Sequence, residues 1–236
     1  MNIATDPVGG AAACAALRSC HDRNGGTPLA VLPPMERIAL IPVQFVPFPG
    51  TIIQLRLSDD AALAPFQDCR DQDRALGFIF HDEARFGTYR VEEGGVGCTA
   101  MIRALQDEAS GGPRVIAQTL ARFEIADALV VDGPLLEAVV RPYVDRGDRG
   151  EGLVERREQT LALFRSVIRA LPGARRALPR LDCQEDVSFR MAPSVGAGAG
   201  WKQNLLEMRD ERRRLDRLDT FFLQAIARYR APDLDA

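Results

Sequence analysis

The chain has 236 residues, of which 46% are apolar and 27% charged, a composition typical of a globular protein that can bury a proper core. The net charge of −3 and the pI near 5.6 give no overall attraction to nucleic acid or to an anionic membrane surface. Five scattered cysteines without a Cys-x-x-Cys pair, with only two histidines, indicate neither a disulfide framework nor a zinc site and fit a reducing compartment.

The N-terminal segment, residues 1–34, is predicted to be a disordered arm. It is rich in Ala, Gly, Pro and polar residues without periodicity, so burial cannot offset its ordering entropy. The stretch Ala11-Ala12-Ala13-Cys14 superficially resembles a lipoprotein cleavage site, but no basic start and no sustained apolar core precede it. Since no apolar run approaches the roughly 20 residues of a membrane span, we expect a cytoplasmic protein that does not bind membranes.

Two strands and a proline-rich corner are predicted over residues 37–57. The first strand shows alternating apolar residues and should end at Pro42, because proline removes a backbone donor. The second follows the corner and places three apolar residues on one face: Ile53, Leu55 and Leu57. Between them lies the run Val46-Pro47-Phe48-Pro49-Gly50, whose prolines cannot sit in the middle of a sheet. We interpret it as a stiff structural corner with Phe48 as a core anchor.

A short helix and a series of strands are predicted next. Ser58, Asp59 and Asp60 can cap a helix that runs to Cys69. A polar turn joins two of the following strands into a hairpin, and the full set is residues 76–80, 95–105, 114–120, 122–125 and 135–143. Short strands separated by turns favour a compact sheet that resembles a β-barrel.

From residue 151 the hydrophobic period changes from two to about 3.6 residues, which predicts helices. A long amphipathic helix should end at Pro172-Gly173, and a shorter helical segment should lie near residues 186–191. Helices should continue from Trp201, with a break after which Asp210 caps the last one. The glycine-rich charged segment at residues 145–152 should separate a β-domain, residues 35–145, from a helical unit, residues 151–230.

Two segments of the helical region could be mistaken for binding sites. The glycine run at residues 196–200 precedes Lys202, but Trp201 intervenes and Gln203 follows, so the spacing of a Walker loop is absent and a flexible linker is the better interpretation. Residues 209–217 are rich in arginine but also contain acidic residues, which favours an outer, solvated helix face over a nucleic-acid track.

No catalytic, cofactor-binding or metal-binding residue is predicted. His81 lies beside Asp82 and Glu83 at the end of a strand, and with no second histidine in a structured region we interpret it as part of a solvated turn. Glu92 and Glu93 are adjacent and would point to opposite faces of a strand, so they are interpreted as turn charge. An unrecognised hydrolase lacks a coherent nucleophile, base and orienting group.

The order of these landmarks resembles the N-terminal, substrate-binding domain of Lon-type proteases. That family has a hydrophobic-Phe-Pro-Gly corner, a glycine-led strand, a strand ending in Arg-Phe-x-Ile, a Pro-x-Leu-x-Ala strand and a helical Lys-Gln-x-Leu-Leu-Glu segment. Here the corresponding segments are residues 45–50, 97–102, 122–125, 134–138 and 202–207. Two departures are Thr119, where the family usually has glycine, and residues 58–61, where it has an aromatic-acidic-Pro-Arg segment.

The resemblance implies an α+β fold in which a PUA-like β-barrel domain precedes a C-terminal helical bundle. It also implies that the motif positions are structural, with binding as a second role. These positions are Phe45, Pro47, Phe48, Pro49, Gly50, Gly97, Arg122, Phe123 and Lys202.

By the same resemblance, the chain is expected to be a stand-alone, non-catalytic module that binds unfolded or extended protein segments, as an adaptor or substrate receptor beside a protease or chaperone. No ATPase or Ser-Lys protease module follows the helical region, and no cofactor is expected. The alternative is an RNA-binding module, since PUA-like barrels also occur in RNA-modifying enzymes. Low aromatic content and net acidity count against nucleic acid as a partner.

Overall fold

The computed structural model describes residues 35–57, 61–108, 112–129, 136–146, 150, 152–170 and 181–230. Several predictions therefore lie outside the described residues: the arm 1–34, the helix cap at 58–60, the start of the Pro-x-Leu-x-Ala strand at 134–135 and the helix stop at Pro172-Gly173. In the described part of the chain, no helix combines the length and the apolarity needed to cross a bilayer.

In the described residues, six strands form one mixed sheet that closes on itself. In sheet order the strands run β2-β5-β4-β3-β1-β6, and the long strand β5 also pairs with β6. The closed part is therefore a five-stranded barrel, and β2 adds to it along the first half of β5. The strands are β1 Glu36–Val43, β2 Ile52–Arg56, β3 Leu76–Phe80, β4 Val96–Glu108, β5 Gly112–Leu129 and β6 Leu136–Pro142. The predicted barrel-like sheet is confirmed.

Two strand predictions are wrong in detail. The segments predicted as separate strands at 114–120 and 122–125 are one continuous strand, because β5 pairs with β2 up to Gln118 and with β6 from Phe123 onward. Pro42 does not end β1 but lies inside it. Its position is tolerated because pairing with β6 stops at Leu40, which leaves one edge of β1 outside that ladder where the proline sits.

The helices follow the predicted order, except that the short helix α2 was not predicted. They are α1 Ala64–Asp71, α2 Glu83–Phe86, α3 Leu153–Ala170, α4 Ser188–Met191, α5 Ala199–Glu207 and α6 Glu211–Arg230. The predicted cap is confirmed, since Asp210 Oδ1 accepts the backbone N–H of Arg213 at 3.2 Å at the start of α6. The linker predicted at residues 196–200 is shorter than expected, because α5 begins at Ala199 and so includes Gly200.

The barrel and the helices share one hydrophobic core. Phe48, Val96 and Cys98 from the barrel side pack in the same buried cluster as residues of α3 to α6, among them Phe164, Phe189, Leu205 and Phe222. A second cluster packs strands β1 to β5 against α1, which contributes Phe66. Each unit on its own would expose its side of the shared cluster, so the helical unit acts as a cover for one face of the barrel.

We expect limited trypsin digestion to cut first in the arm 1–34 and after Arg146 or Arg149, because the glycines nearby disfavour regular structure. The two fragments should then elute together in gel filtration, since the shared core holds them. Cleavage that starts within residues 96–125 while Arg146 stays intact would show that the boundary lies elsewhere, and fragments that separate would contradict the role of the shared core.

Candidate functional site

The proline-rich corner lies between the barrel and the helices and is mostly buried. Phe48 is 1% exposed, and its ring centroid lies 6.1 Å from that of Phe189. The carbonyl of Pro47 accepts a hydrogen bond from Cys98 Sγ at 3.3 Å. The corner is therefore packed into the core, and its prolines are not presented as a free binding loop.

Thr119 fastens this corner to the barrel. Its hydroxyl donates to the carbonyl of Phe48 at 2.6 Å and accepts the N–H of Thr51 at 2.8 Å. Gly50, at φ +73°, donates its N–H to the carbonyl of Thr119 at 3.2 Å. The backbones thus approach closely although threonine stands where the family usually has glycine, and the hydroxyl adds bonds that glycine lacks.

Gly97 and Phe123 form a tight contact inside the barrel. A Cβ on Gly97 would lie 2.4 Å from the carbonyl oxygen of Phe78 and 2.6 Å from Cζ of Phe123, so no larger residue fits. Phe123 itself is buried in the barrel. These two motif positions serve packing.

Arg122 connects the barrel with the helices, whereas Lys202 makes its bond within the helical region. Arg122 is buried and donates to the carbonyls of Leu206 at 2.6 Å and Met208 at 2.8 Å, which lie at the end of α5. Lys202 donates to the carbonyl of Pro193 at 3.3 Å, and burial lowers the pKa of its ammonium group. Both side chains thus donate hydrogen bonds to backbone carbonyls of the helical unit.

A cleft of about 660 Å³ opens between the end of β3, the loop that follows it, the start of β4 and α5. Ile79 and Val96 are buried at its base, whereas Phe86 is 62% exposed. The apolar lining consists of Ile79, Phe80, Phe86, Tyr89 and Val96. Exposed large aromatic side chains beside an apolar cleft are typical of a ligand-binding surface.

The aromatic wall of the cleft is held by local contacts. Asp82 caps α2 by accepting the N–H of Arg85 at 3.2 Å, and Phe86 is the last residue of this helix. The ring of His81 packs edge-on against Tyr89 with centroids 5.1 Å apart, and its Nε2 lies 2.5 Å from the carbonyl oxygen of Gly87. These two contacts orient the ring of His81 within the loop that follows β3.

Polar groups from both units complete the cleft: His81, Asp82, Arg90, Glu92, Gln203 and Glu207. The amide nitrogen of Gln203 donates to the carbonyl of Val96 at 3.1 Å and to Glu207 Oε1 at 2.9 Å, which joins α5 to β4. Burial, and to a smaller extent the charge of Glu92, raises the pKa of Tyr89 to about 12. Tyr89 therefore keeps its proton. The lining also carries three carboxylates, those of Asp82, Glu92 and Glu207, against the single arginine Arg90, so its net charge is negative.

The model of the family described as the ATP-dependent protease La (LON) substrate-binding domain matches residues 37–221. The chain belongs to this family. The resemblance inferred from the corner and the later motifs is thus confirmed, and the matched region is the Lon substrate-binding domain alone.

A curated Lon protease is also similar to this chain. The chain is 26% identical over 212 residues to the Lon protease of Methylocella silvestris, which covers 82% of this chain and 25% of that protein. The chain thus spans about a quarter of the length of this curated relative.

Two solved Lon structures have the same fold. The crystal structure of a Lon N-terminal domain protein from Xanthomonas campestris superposes with a TM-score of 0.54 at 21% identity, covering 78% of this chain and 96% of that one. The N-terminal domain of the Mycobacterium avium complex Lon protease gives 0.58 at 18% identity, covering 80% and 98%. The α+β class, with a closed sheet followed by helices, is confirmed.

This Lon-type domain contains a buried arginine network that the sequence analysis missed. Arg214 is 0% exposed and donates to Asp145 Oδ2 and Asp186 Oδ2, each at 2.6 Å, and to Ser188 Oγ at 2.9 Å. Arg122 pairs with the same Asp145 carboxylate. The assignment of residues 209–217 to an outer helix face is therefore wrong at Arg214.

Helical spacing held the missing signal. Glu211 and Arg214 lie one turn before the buried residues Leu215 and Leu218, on the same stripe of α6. Glu211 is also buried and makes two bonds, of 2.7 and 2.6 Å, with the guanidinium of Arg157 on α3. A charged residue in register with an apolar stripe indicates a buried ion pair, and mixed charge along the sequence does not exclude it.

Proposed function

We propose that the cleft between the barrel and α5 binds extended apolar segments of protein substrates. The observation that supports this most directly is the exposed ring of Phe86 above a buried apolar base formed by Ile79 and Val96. A volume of about 660 Å³ is within the range of ligand pockets and can hold a few side chains. Membership of the Lon substrate-binding family supports a protein as the ligand.

The polar groups of the cleft favour a particular kind of segment. Protonated Tyr89 can donate to a substrate carbonyl, and an extended segment leaves such backbone groups free. Glu92 and Glu207 would attract a basic residue placed beside the apolar one. The proposed substrate therefore combines a large apolar side chain with a neighbouring lysine or arginine.

In this proposal the chain acts in the cytoplasm by binding alone and presents its substrate to a protease or a chaperone. The motif positions of the corner, together with Gly97, Arg122, Phe123 and Lys202, maintain the two units that form the cleft. Their role in binding is indirect, because most of their side chains are buried or bonded within the fold.

Replacing Phe86 by alanine tests the cleft. We expect it to weaken binding of a fluorescent, unfolded casein peptide about tenfold, the typical loss for an aromatic residue at the centre of an interface, as measured by fluorescence anisotropy. The matched control is Leu223→Ala, which removes a side chain that is 57% exposed on α6. It should change the affinity less than about twofold.

Equal affinity of wild type and Phe86→Ala would contradict the cleft as the binding site. A single-stranded RNA oligonucleotide forms a second arm of the same titration. Tight RNA binding that Phe86→Ala leaves unchanged, with no binding of the casein peptide, would instead support the RNA-binding alternative.

A further inference from the structure

A second, smaller pocket of about 260 Å³ lies at the break between α5 and α6. It is lined by Arg146, Met208, Arg209, Asp210 and Arg213. Three guanidinium groups against one carboxylate leave a charge of +2 around the pocket. The whole chain carries −3, so this pocket is a local exception to the overall acidity.

The pocket is built by specific contacts between the two units. The N–H of Arg146, which follows β6, donates to the carbonyl of Arg209 at 2.8 Å. The guanidinium of Arg209 stacks on the ring of Tyr143 at 3.9 Å, and the Tyr143 hydroxyl donates to the carbonyl of Glu207 at 2.8 Å. Arg209 is therefore held in place before any ligand binds.

Its arginines have donors that the fold does not use. Nε of Arg209 is buried without a hydrogen-bond acceptor, although one of its terminal nitrogens lies 3.7 Å from Glu124. The side chains of Arg146 and Arg213 are exposed and form no ion pair or hydrogen bond with any other residue of the described ranges. Buried unpaired donors are uncommon because each costs free energy.

Neighbouring arginines behave differently. Arg122, Arg157 and Arg214 each have a carboxylate partner within the fold. The Asp210 carboxylate accepts the backbone N–H of Arg213 as a helix cap, and its charge is already included in the net +2 of the lining. Three arginines with unused donors, Arg146, Arg209 and Arg213, thus line this one pocket, while the buried Nε of Arg217 lacks an acceptor elsewhere on α6.

We propose that the arginine pocket binds a phosphoryl group, either on a phosphorylated side chain of a protein or as free phosphate. Guanidinium groups match phosphate oxygens in geometry, and a phosphoryl group near its dianionic form balances the charge of +2. Glu207 lines the cleft and Met208 lines this pocket, so the two sites adjoin. A phosphorylated residue could therefore accompany a substrate segment in the cleft, an extension that rests on the proposed function.

Isothermal titration calorimetry of the full chain tests the proposal with four probes. They are inorganic phosphate, a nonapeptide with one phosphoserine, the same peptide with serine, and the same peptide with glutamate. We expect phosphate and the phosphopeptide to bind, and Arg146→Gln and Arg213→Gln each to weaken this binding about tenfold, since each removes one charge-assisted contact. The matched control is Arg228→Gln, an exposed arginine near the other end of α6.

The outcomes separate the sources and the sites. Tighter binding of the phosphopeptide than of phosphate assigns the ligand to a modified protein, and the reverse assigns it to free phosphate. Absence of binding by both phosphorylated probes at millimolar concentration would overturn the proposal, as would equal weakening by Arg228→Gln or equal affinity for the glutamate peptide. Phe86→Ala should leave phosphate binding unchanged, so failure of the cleft and failure of this pocket are distinguishable.

Discussion

Replacing Asp145 by asparagine should reduce the free energy of unfolding by about 3–5 kcal/mol at pH 7, the typical cost of removing one partner from a buried ion pair. Asp145 is the shared carboxylate of Arg122 and Arg214, whose side chains are only 4% and 0% exposed. Asparagine keeps the shape but removes the charge, so both guanidinium groups would stay buried with less compensation. Urea denaturation followed by circular dichroism measures the difference.

The effect of Asp145→Asn on the free energy of unfolding should also depend on pH. Burial disfavours the charged form of Asp145, but the hydrogen bonds and charges of Arg214 and Arg122 outweigh it and hold the pKa of this carboxyl below its usual range. A depressed pKa in the folded state stabilises the protein above the unfolded pKa of about 4, and this contribution is lost as the pH falls through the folded value. The stability difference between wild type and Asp145→Asn should therefore shrink below about pH 4.

The matched control is Asp71→Asn, because Asp71 pairs with Arg70 on an exposed part of α1. Exposed pairs contribute at most about 1 kcal/mol, so this variant should unfold almost as wild type does. If Asp145→Asn were equally mild, the remaining partners would be enough to compensate the buried arginines: the carbonyls of Leu206 and Met208 for Arg122, and Asp186, Ser188 and the Met208 carbonyl for Arg214.

Local patterns were sufficient for most elements. The two-residue period placed Ile53 and Leu55 on the buried face of β2, and the Asp210 cap marked the start of α6. The sequence did not reveal that β5 is continuous, because its two halves pair with different strands: β2 up to Gln118 and β6 from Phe123. Which strand a segment pairs with depends on the whole sheet, and no local signal encodes it.

The cleft and the arginine network needed contacts between distant segments. Asp145 and Arg214 are 69 positions apart, and Gln203 and the Val96 carbonyl that it bonds are 107 apart. A sequence shows each residue type but not which charge compensates which. Arg214 therefore looked like one of many surface arginines, although its position on the apolar stripe of α6 was already available.

Replacing Phe48 by alanine should remove about 3–5 kcal/mol of stability, the usual cost of truncating a buried phenylalanine, and leave a domain of ordinary stability close to unfolding. The position of Phe48 between two prolines of the corner predicts that it stabilises the β-domain. The structure places it in the cluster that the barrel shares with α3 to α6, against Phe189. The loss should therefore affect the barrel and the helices together.

The matched control is Phe86→Ala, the same truncation at an exposed ring, which should change stability by less than about 1 kcal/mol. Thermal unfolding of Phe48→Ala should show one transition at a lower temperature than wild type in two probes. The first is far-UV circular dichroism, to which strands and helices both contribute, and the second is Trp201 fluorescence, which reports on the helical unit because Trp201 packs on Phe221. Two separate transitions would mean that the shared core does not couple the units. Removing the Phe48 ring should leave a cavity beside Phe189, and such a cavity lowers stability. A melting temperature within a few degrees of wild type would therefore mean that Phe48 is not a core anchor.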